Sequence, residues 1–166
     1  MTVVTLGSVG KSPRAVQLYT AEQRSRRDNT KWTLVQGILA PVQFVVFLIS
    51  LALVIRYLMT GDGYTAATIS ILLKTAVLYL IMVTGAIWEK VVFGQYLFAP
   101  AFFWEDVVSF GVIALHSLYL YFLWFGGLGP VGLMILALIA YAIYVVNAAQ
   151  FVWKLRMARL SAEGAS

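Results

Sequence analysis

Four apolar stretches, each long enough to cross a bilayer, constrain this chain most: about Leu34 to Leu58, Ala66 to Trp88, Ala101 to Trp124 and Val131 to Trp153. About 20 apolar residues in a helix span the hydrocarbon core, where no water is present to satisfy backbone N–H and C=O groups. The stretches therefore read as four transmembrane helices of an all-α integral membrane protein. Residues 1–31 form a basic tail, 32–156 the four-helix membrane domain and 157–166 a second tail. The chain is 61% hydrophobic and 11% charged, whereas a soluble domain carries roughly 25% charge. Gly61-Asp62-Gly63 and Gly126-Gly127-Leu128-Gly129-Pro130 supply turns, and Pro130 suits the first turn of the last helix. Pro41 removes a backbone hydrogen bond inside the first span and is expected to kink it. All five tryptophans (32, 88, 104, 124 and 153) fall at span ends, as an interfacial aromatic belt requires.

Basic residues orient the spans. Lys11, Arg14, Arg24, Arg26, Arg27 and Lys31 precede the first span, Lys90 follows the second, and Lys154, Arg156 and Arg159 end the fourth. Only Arg56 borders an opposite loop, while Lys74 lies within a span. Ten against one places both termini in the cytoplasm. The first 30 residues hold no apolar run, so no cleavable signal peptide is expected. The net charge of +5 then describes a face toward anionic lipid rather than a nucleic-acid site. Thr20-Ala-Glu-Gln23 has the pattern of a capping box, which predicts a short interfacial helix over Ala21 to Asp28; a merely solvated basic tail is the alternative.

Ionised side chains in hydrocarbon cost several kcal/mol, so the acids in the membrane domain call for explanation. The chain has seven, and Glu89, Glu105 and Asp106 bracket the segment between the second and third spans. Glu89 with Lys90 reads as a boundary ion pair or as a functional acid. Glu105 and Asp106 suit the positive end of the third helix, and at least one is also a candidate for acid/base chemistry. Asn147 and Gln150 in the fourth span, and Gln36 and Gln43 in the first, share the same membrane half. They read as interhelical hydrogen-bonding groups or as part of a site. His116, the only histidine, lies eleven residues past Glu105. That spacing puts it on nearly the same helix face, about 16 Å deeper. It is a candidate ligand or acid/base group, against a plain hydrogen-bonding role. Lys74 reads as a structural or snorkelling residue. Tyr119, Tyr121, Tyr141 and Tyr144 either pack or line a pocket for a flat aromatic ligand.

Several chemistries find no support. The chain has no cysteine, no His-Glu-x-x-His, no Glu-x-x-His, no phosphate-binding glycine loop and no nucleophile elbow. What remains is acid/base chemistry by carboxylates, with or without His116, on a membrane-soluble molecule.

A resemblance takes the reading further. Its residues are Leu18-Tyr-Thr-Ala-Glu-Gln-Arg-Ser-Arg-Arg-Asp28, Trp32-Thr-Leu-Val-Gln-Gly-Ile-Leu-Ala-Pro-Val-Gln-Phe44 and the whole of Ile87 to Asp106. Tyr141 to Arg159, with Asn147, Gln150 and Trp153-Lys-Leu-Arg156, continues it. Together these resemble the 3-vinyl bacteriochlorophyllide hydratase family of phototrophic bacteria, over about residues 18 to 160. The resemblance implies addition of water across the C3 vinyl group of chlorophyllide or 3-vinyl bacteriochlorophyllide, giving the 1-hydroxyethyl product. It also implies a bacterial inner or intracytoplasmic photosynthetic membrane, membrane lipid as surroundings and other enzymes of the same pathway as partners. No cofactor and no nucleic acid is implied, and a homodimer is compatible with four short spans.

The residues suit such a reaction. Hydration needs a proton at the terminal vinyl carbon, a cation at the adjacent carbon stabilised by the macrocycle, and water at that carbon. One protonated acid and one base supply these, and an acid partly withdrawn from water keeps its proton more readily. Glu105, Asp106 and Glu89 are the catalytic candidates; His116, Asn147, Gln150, Tyr144 and Arg27 are the substrate-binding ones. No metal site of the protein's own is expected, but His116 is a candidate axial ligand for the substrate's magnesium. The substrate propionate would pair with Arg24, Arg26, Arg27 or Arg156 at the cytoplasmic surface. A small proton-coupled exporter and a non-catalytic pigment-assembly factor share this outline, but an exporter favours an acid near mid-bilayer. In the cysteine-free chain, Asp62→Cys and Gly127→Cys should react with an impermeant maleimide only from the non-cytoplasmic side. Labelling of position 62 from the cytoplasm would invert the topology.

Overall fold

A computed structural model describes residues 18–163 of the chain, with side chains through Leu160. Lys11 and Arg14 of the expected basic tail lie outside the described residues. Five helices follow one another: α1 (Ala21–Asn29), α2 (Lys31–Thr60), α3 (Tyr64–Phe93), α4 (Phe103–Phe125) and α5 (Pro130–Glu163). Helices α2 to α5 are long and apolar enough to cross a membrane, and the described residues contain no strand. The expected four-span, all-helical architecture is therefore present. The helices outrun the apolar stretches: α2 and α3 have 30 residues each and α5 has 34. Helix α5 passes through the start of the expected C-terminal tail because Lys154 to Leu160 contains good helix formers and no breaker.

Local chemistry sets the ends. The capping box at α1 is complete: Gln23 N–H donates to Thr20 Oγ1 at 3.2 Å, and Thr20 N–H to Gln23 Oε1 at 2.9 Å. Helix α2 closes on Gly61 at φ 76°, a left-handed position that a side chain would disfavour. It runs through Pro41 as one helix. Pro130 opens α5, where a missing N–H costs nothing.

The helices form two antiparallel hairpins, α2/α3 and α4/α5, each closely packed within itself. The seam between hairpins, where α2 meets α5 and α3 meets α4, is looser. Its interior holds Phe47, Val54, Ile71, Leu78, Val112, Tyr119, Met134 and Tyr141. Leu48, Ile49, Ile69, Ile135 and Ile139 point outward, as lipid-facing residues should. Lipid is as apolar as leucine, so burial alone cannot join the hairpins; close packing and interhelical hydrogen bonds must. Ser50 meets Tyr141 of α5 across the seam at 2.6 Å and Ser70 within its own hairpin at 2.7 Å, and Tyr79 of α3 meets Ser117 of α4 at 2.6 Å. At the N-terminal end, Tyr19 is buried and stacks on Phe93 at 5.7 Å, which lays α1 against the end of α3.

This hydroxyl cluster generates a test. Ser50→Ala removes the partner of two buried hydroxyls, whereas Tyr141→Phe leaves the Ser50–Ser70 pair intact. Interhelical hydrogen bonds in membranes average about 0.6 kcal/mol, so Ser50→Ala should cost about 1 kcal/mol and Tyr141→Phe less. Unfolding in mixed micelles gives the order, and a reversed order would show that Ser50 does not join the hairpins.

Candidate active site

The site begins where α3 ends. Gly94, at φ 88°, stops the helix, and residues 94–102 return the chain to α4. This return is shaped by acids. Asp106 Oδ2 accepts the N–H of Phe98 at 2.7 Å, and Glu89 Oε2 accepts the N–H of Ala99 at 3.2 Å. Phe98 has φ 59° despite its side chain, a conformation costing about 1 kcal/mol or more. The carboxylate bond and a stack on Phe110, 5.4 Å between centroids, hold it there.

Glu89 and Asp106 face each other across the α3–α4 seam and interact through their carboxyl groups. A hydrogen bond between two carboxyls needs one proton held between them. Glu89 is 5% exposed and Asp106 3%, so water does little to separate the two charges. Glu105, equally buried, faces α5 instead and meets Lys154 Nζ at 2.5 Å. Lys154 also donates to the carbonyl of Ala101. The three expected acids are thus gathered, but in two arrangements: a facing carboxyl pair and an ion pair. The alternative Glu89–Lys90 pair is absent, since Lys90 Nζ turns to the carbonyl of Gly94 at 2.8 Å.

An aromatic cover closes this end of the bundle. Tyr19, Val92 and Phe102 are buried there, with Trp88, Phe93, Ala101 and Phe151 around them. Phe102 stacks on Phe151 of α5 at 5.8 Å, and Trp88 Nε1 donates to Thr33 of α2 at 2.9 Å. Four elements and the interhelical return therefore meet over the carboxyl pair.

Below the acids come amides. Asn147 Nδ2 donates to Ser109 Oγ at 2.7 Å, one turn past the acids on α4. Its Oδ1 is buried without a partner, as are Gln150 Oε1 and Gln43 Oε1. The register of Phe47 against Tyr144, 5.0 Å between rings, puts Gln43 of α2 at the depth of Asn147 and Gln150. Deeper still, His116 Nδ1 lies 2.8 Å from the carbonyl of Val112. Because that carbonyl only accepts, Nδ1 carries the hydrogen and Nε2 the lone pair. Nε2 is buried with no partner. Tyr144 lies under Lys74, whose Nζ is 3.7 Å from the ring centroid. Lys74 is wholly buried and does not snorkel.

Arg27 is not brought to this site. It pairs with Asp28 at 2.7 Å and lies 4.8 Å over the Tyr19 ring, on α1. Arg24 and Arg156 are exposed and make no ion pair among the described residues. Lys154 escaped the sequence reading because it was counted with the tail. Its spacing of seven from Asn147 and four from Gln150 puts it on the same helix face, and that signal was available.

Comparison with known proteins bears on the same residues. A profile of the 2-vinyl bacteriochlorophyllide hydratase family matches residues 19–157. A protein of Cereibacter sphaeroides named 2-vinyl bacteriochlorophyllide hydratase is 72% identical over 149 residues, 90% of this chain and 92% of its own. One of the same name from Rhodobacter capsulatus is 68% identical over 152 residues, 92% of this chain and 88% of its own. No solved structure matches. The matched region runs from Tyr19 through Lys154 and so includes every helix that carries a site residue. The chain belongs to the 2-vinyl bacteriochlorophyllide hydratase family.

Proposed function

We infer that this chain is a hydro-lyase of bacteriochlorophyll biosynthesis that adds water to the vinyl group of a bacteriochlorophyllide-type substrate. Family membership and the names of both relatives support the reaction. One observation carries the chemistry: Glu89 and Asp106 are buried together at the α3–α4 seam, a setting that favours one proton shared between them. The vinyl group numbered 2 in the older macrocycle scheme is the C3 vinyl of the current one.

The protonated member of the pair gives its proton to the terminal vinyl carbon. Positive charge then develops on the adjacent carbon, where the conjugated macrocycle spreads it and the ionised carboxyl stabilises it. Water bonds to that carbon and loses a proton to the ionised carboxyl. The pair ends with one proton, as it began, so the cycle consumes only the vinyl substrate and water. The unpartnered oxygens of Gln43, Asn147 and Gln150 are acceptors suited to hold the attacking water by its hydrogens. The aromatic cover limits competing solvent.

His116 suits the substrate's magnesium. Its Nε2 lone pair is aimed into the bundle, and the Val112 carbonyl fixes the ring from behind, as the outer partner of a metal-binding histidine does. Tyr141 contributes a flat face beside it, 5.9 Å between ring centroids. Glu105 is a positioning residue in this reading: bound to Lys154, it holds α5 against the pair without touching substrate. The setting is a bacterial cytoplasmic or intracytoplasmic membrane, with both termini on the cytoplasmic side.

Membranes from a heterologous host containing the protein should convert a 3-vinyl chlorophyllide to a product heavier by one water. The red absorption band should move to the blue as the vinyl group leaves conjugation. No mass change with folded protein and several vinyl substrates would remove the hydratase reading. Asp106→Asn and Glu89→Gln should each lower kcat by about a hundredfold to ten-thousandfold while pigment still binds. Glu105→Gln should act mainly on stability. Near-normal turnover by Glu89→Gln, with loss in Glu105→Gln, would move the proton donor to the other arrangement. His116→Ala should weaken binding of magnesium and zinc chlorins but not of their metal-free analogues, and added imidazole should restore part of it. Equal weakening for metal-free pigment would reduce His116 to a packing role.

A further inference from the structure

The proposed chemistry leaves one charged group of the bundle interior unused. Lys74 is wholly buried, and its Nζ has no hydrogen-bond partner. Its only close neighbour is the face of Tyr144, which attracts a cation but accepts no ordinary hydrogen bond. A membrane interior makes an unpaired ammonium costly, so intramembrane lysines normally meet an acid or a carbonyl. No acid among the described residues pairs with it. Glu89 is fifteen residues away on the same helix, about 22 Å by helical rise, and Glu105 and Asp106 are already engaged.

Depth connects Lys74 to the site. Its Nζ stands over Tyr144, and His116 packs at 5.9 Å against Tyr141, one turn away on the same helix. The two unpartnered nitrogens therefore lie within about one turn of each other along the bundle, Lys74 nearer the acids. The carboxyl pair lies above them, since Asp106 and His116 are ten residues apart on α4, about 15 Å. A chlorin macrocycle is on the order of 10 Å across, and a proton transfer at one edge plus a hydrogen bond at the other extend its reach to about that 15 Å.

We propose that Lys74 binds the edge of the macrocycle opposite the reacting vinyl group, its Nζ donating to an oxygen acceptor carried there. This rests on the hydratase reading and extends it. Two groups of the substrate offer that chemistry: the free propionate carboxylate and the keto oxygen of the isocyclic ring. Both lie away from the vinyl edge. With the vinyl group at Glu89 and Asp106, the propionate points into the bundle and away from the surface arginines. The macrocycle is then held between the carboxyl pair at its vinyl edge and Lys74 Nζ at its far edge. Lateral parting of the looser seam between the hairpins would admit it. Such a fixed far edge gives the enzyme a way to select the unesterified pigment and to place the vinyl carbon within reach of the acid.

The test compares three zinc or magnesium 3-vinyl chlorins: the free acid, its propionate methyl ester and a form with the isocyclic keto group reduced. Binding is followed by fluorescence and turnover by absorption, on wild type and Lys74→Met. Wild type should bind the free acid about tenfold or more tightly than whichever analogue lacks the bonded oxygen. Lys74→Met should erase that difference by weakening the free acid, raising KM more than it lowers kcat. A preference against the ester identifies the carboxylate. A preference against the reduced form, with a keto stretch in resonance Raman spectra that rises in Lys74→Met, identifies the carbonyl. Wild type binding all three alike would overturn the proposal, and so would a preference that survives in Lys74→Met. If Lys74→Met does not fold, the wild-type comparison decides with Lys74→Arg, which should keep the preference. Failure of wild type to hydrate any vinyl chlorin would instead sink the reading on which this one rests.

Discussion

A carboxylate taken out of water must be given donors, and that demand organises the end of the bundle where α3 returns to α4. Glu89, Glu105 and Asp106 are all buried, and the protein supplies them with two backbone N–H groups and one ammonium. The return from α3 to α4 bends so that Phe98 and Ala99 present their N–H groups, even at the expense of a left-handed phenylalanine. Lys154 draws α5 in toward Glu105 and Ala101. Helix α1 and its Tyr19 then seal the aromatic cover. The donors still fall short of the acceptors, and in the proposed mechanism a proton between Glu89 and Asp106 makes up part of the difference and serves as the acid.

Polar chemistry in the bundle is graded by depth. Acids lie at the boundary, amide oxygens about one turn or two further in, and nitrogens deepest, at His116 and Lys74. A soluble core would bury this many unpartnered atoms only with internal water or strain. Here they occur on all four spanning helices and turn toward one interior, which is the pattern of groups awaiting a ligand rather than of scattered defects.

The helices were legible in the sequence because hydrocarbon leaves so few alternatives. Apolar length found all four spans, the glycine turns found their ends, and Thr20 with Gln23 found α1. The odd acids flagged the right region, too. Their pairing was not legible: neighbours in sequence, Glu105 and Asp106 point to different helices, one to α5 and one to α3. Which face each takes depends on where the packed hairpins put Lys154 and Glu89, and those are contacts over long sequence separation. Phe98 carried no signal, because a left-handed phenylalanine is imposed by its surroundings and not by its own preference. Of the two readings of Lys74, structural or snorkelling, the second does not hold, because one sequence does not say which way a long side chain turns inside a helix.

Helix α3 has 30 residues and α2 the same, about 45 Å each, whereas the hydrocarbon layer is about 30 Å thick. The overhang has a chemical consequence. It carries the carboxyl pair into the headgroup zone, where the dielectric changes steeply over a few residues. A hydration joins two reactants that mix poorly, a flat apolar pigment and water, and each is abundant on one side of that zone. In the proposed mechanism, helices that reach past the hydrocarbon put the reacting bond at the meeting of the two solvents, so neither an aqueous channel through the bundle nor extraction of the pigment into water is needed.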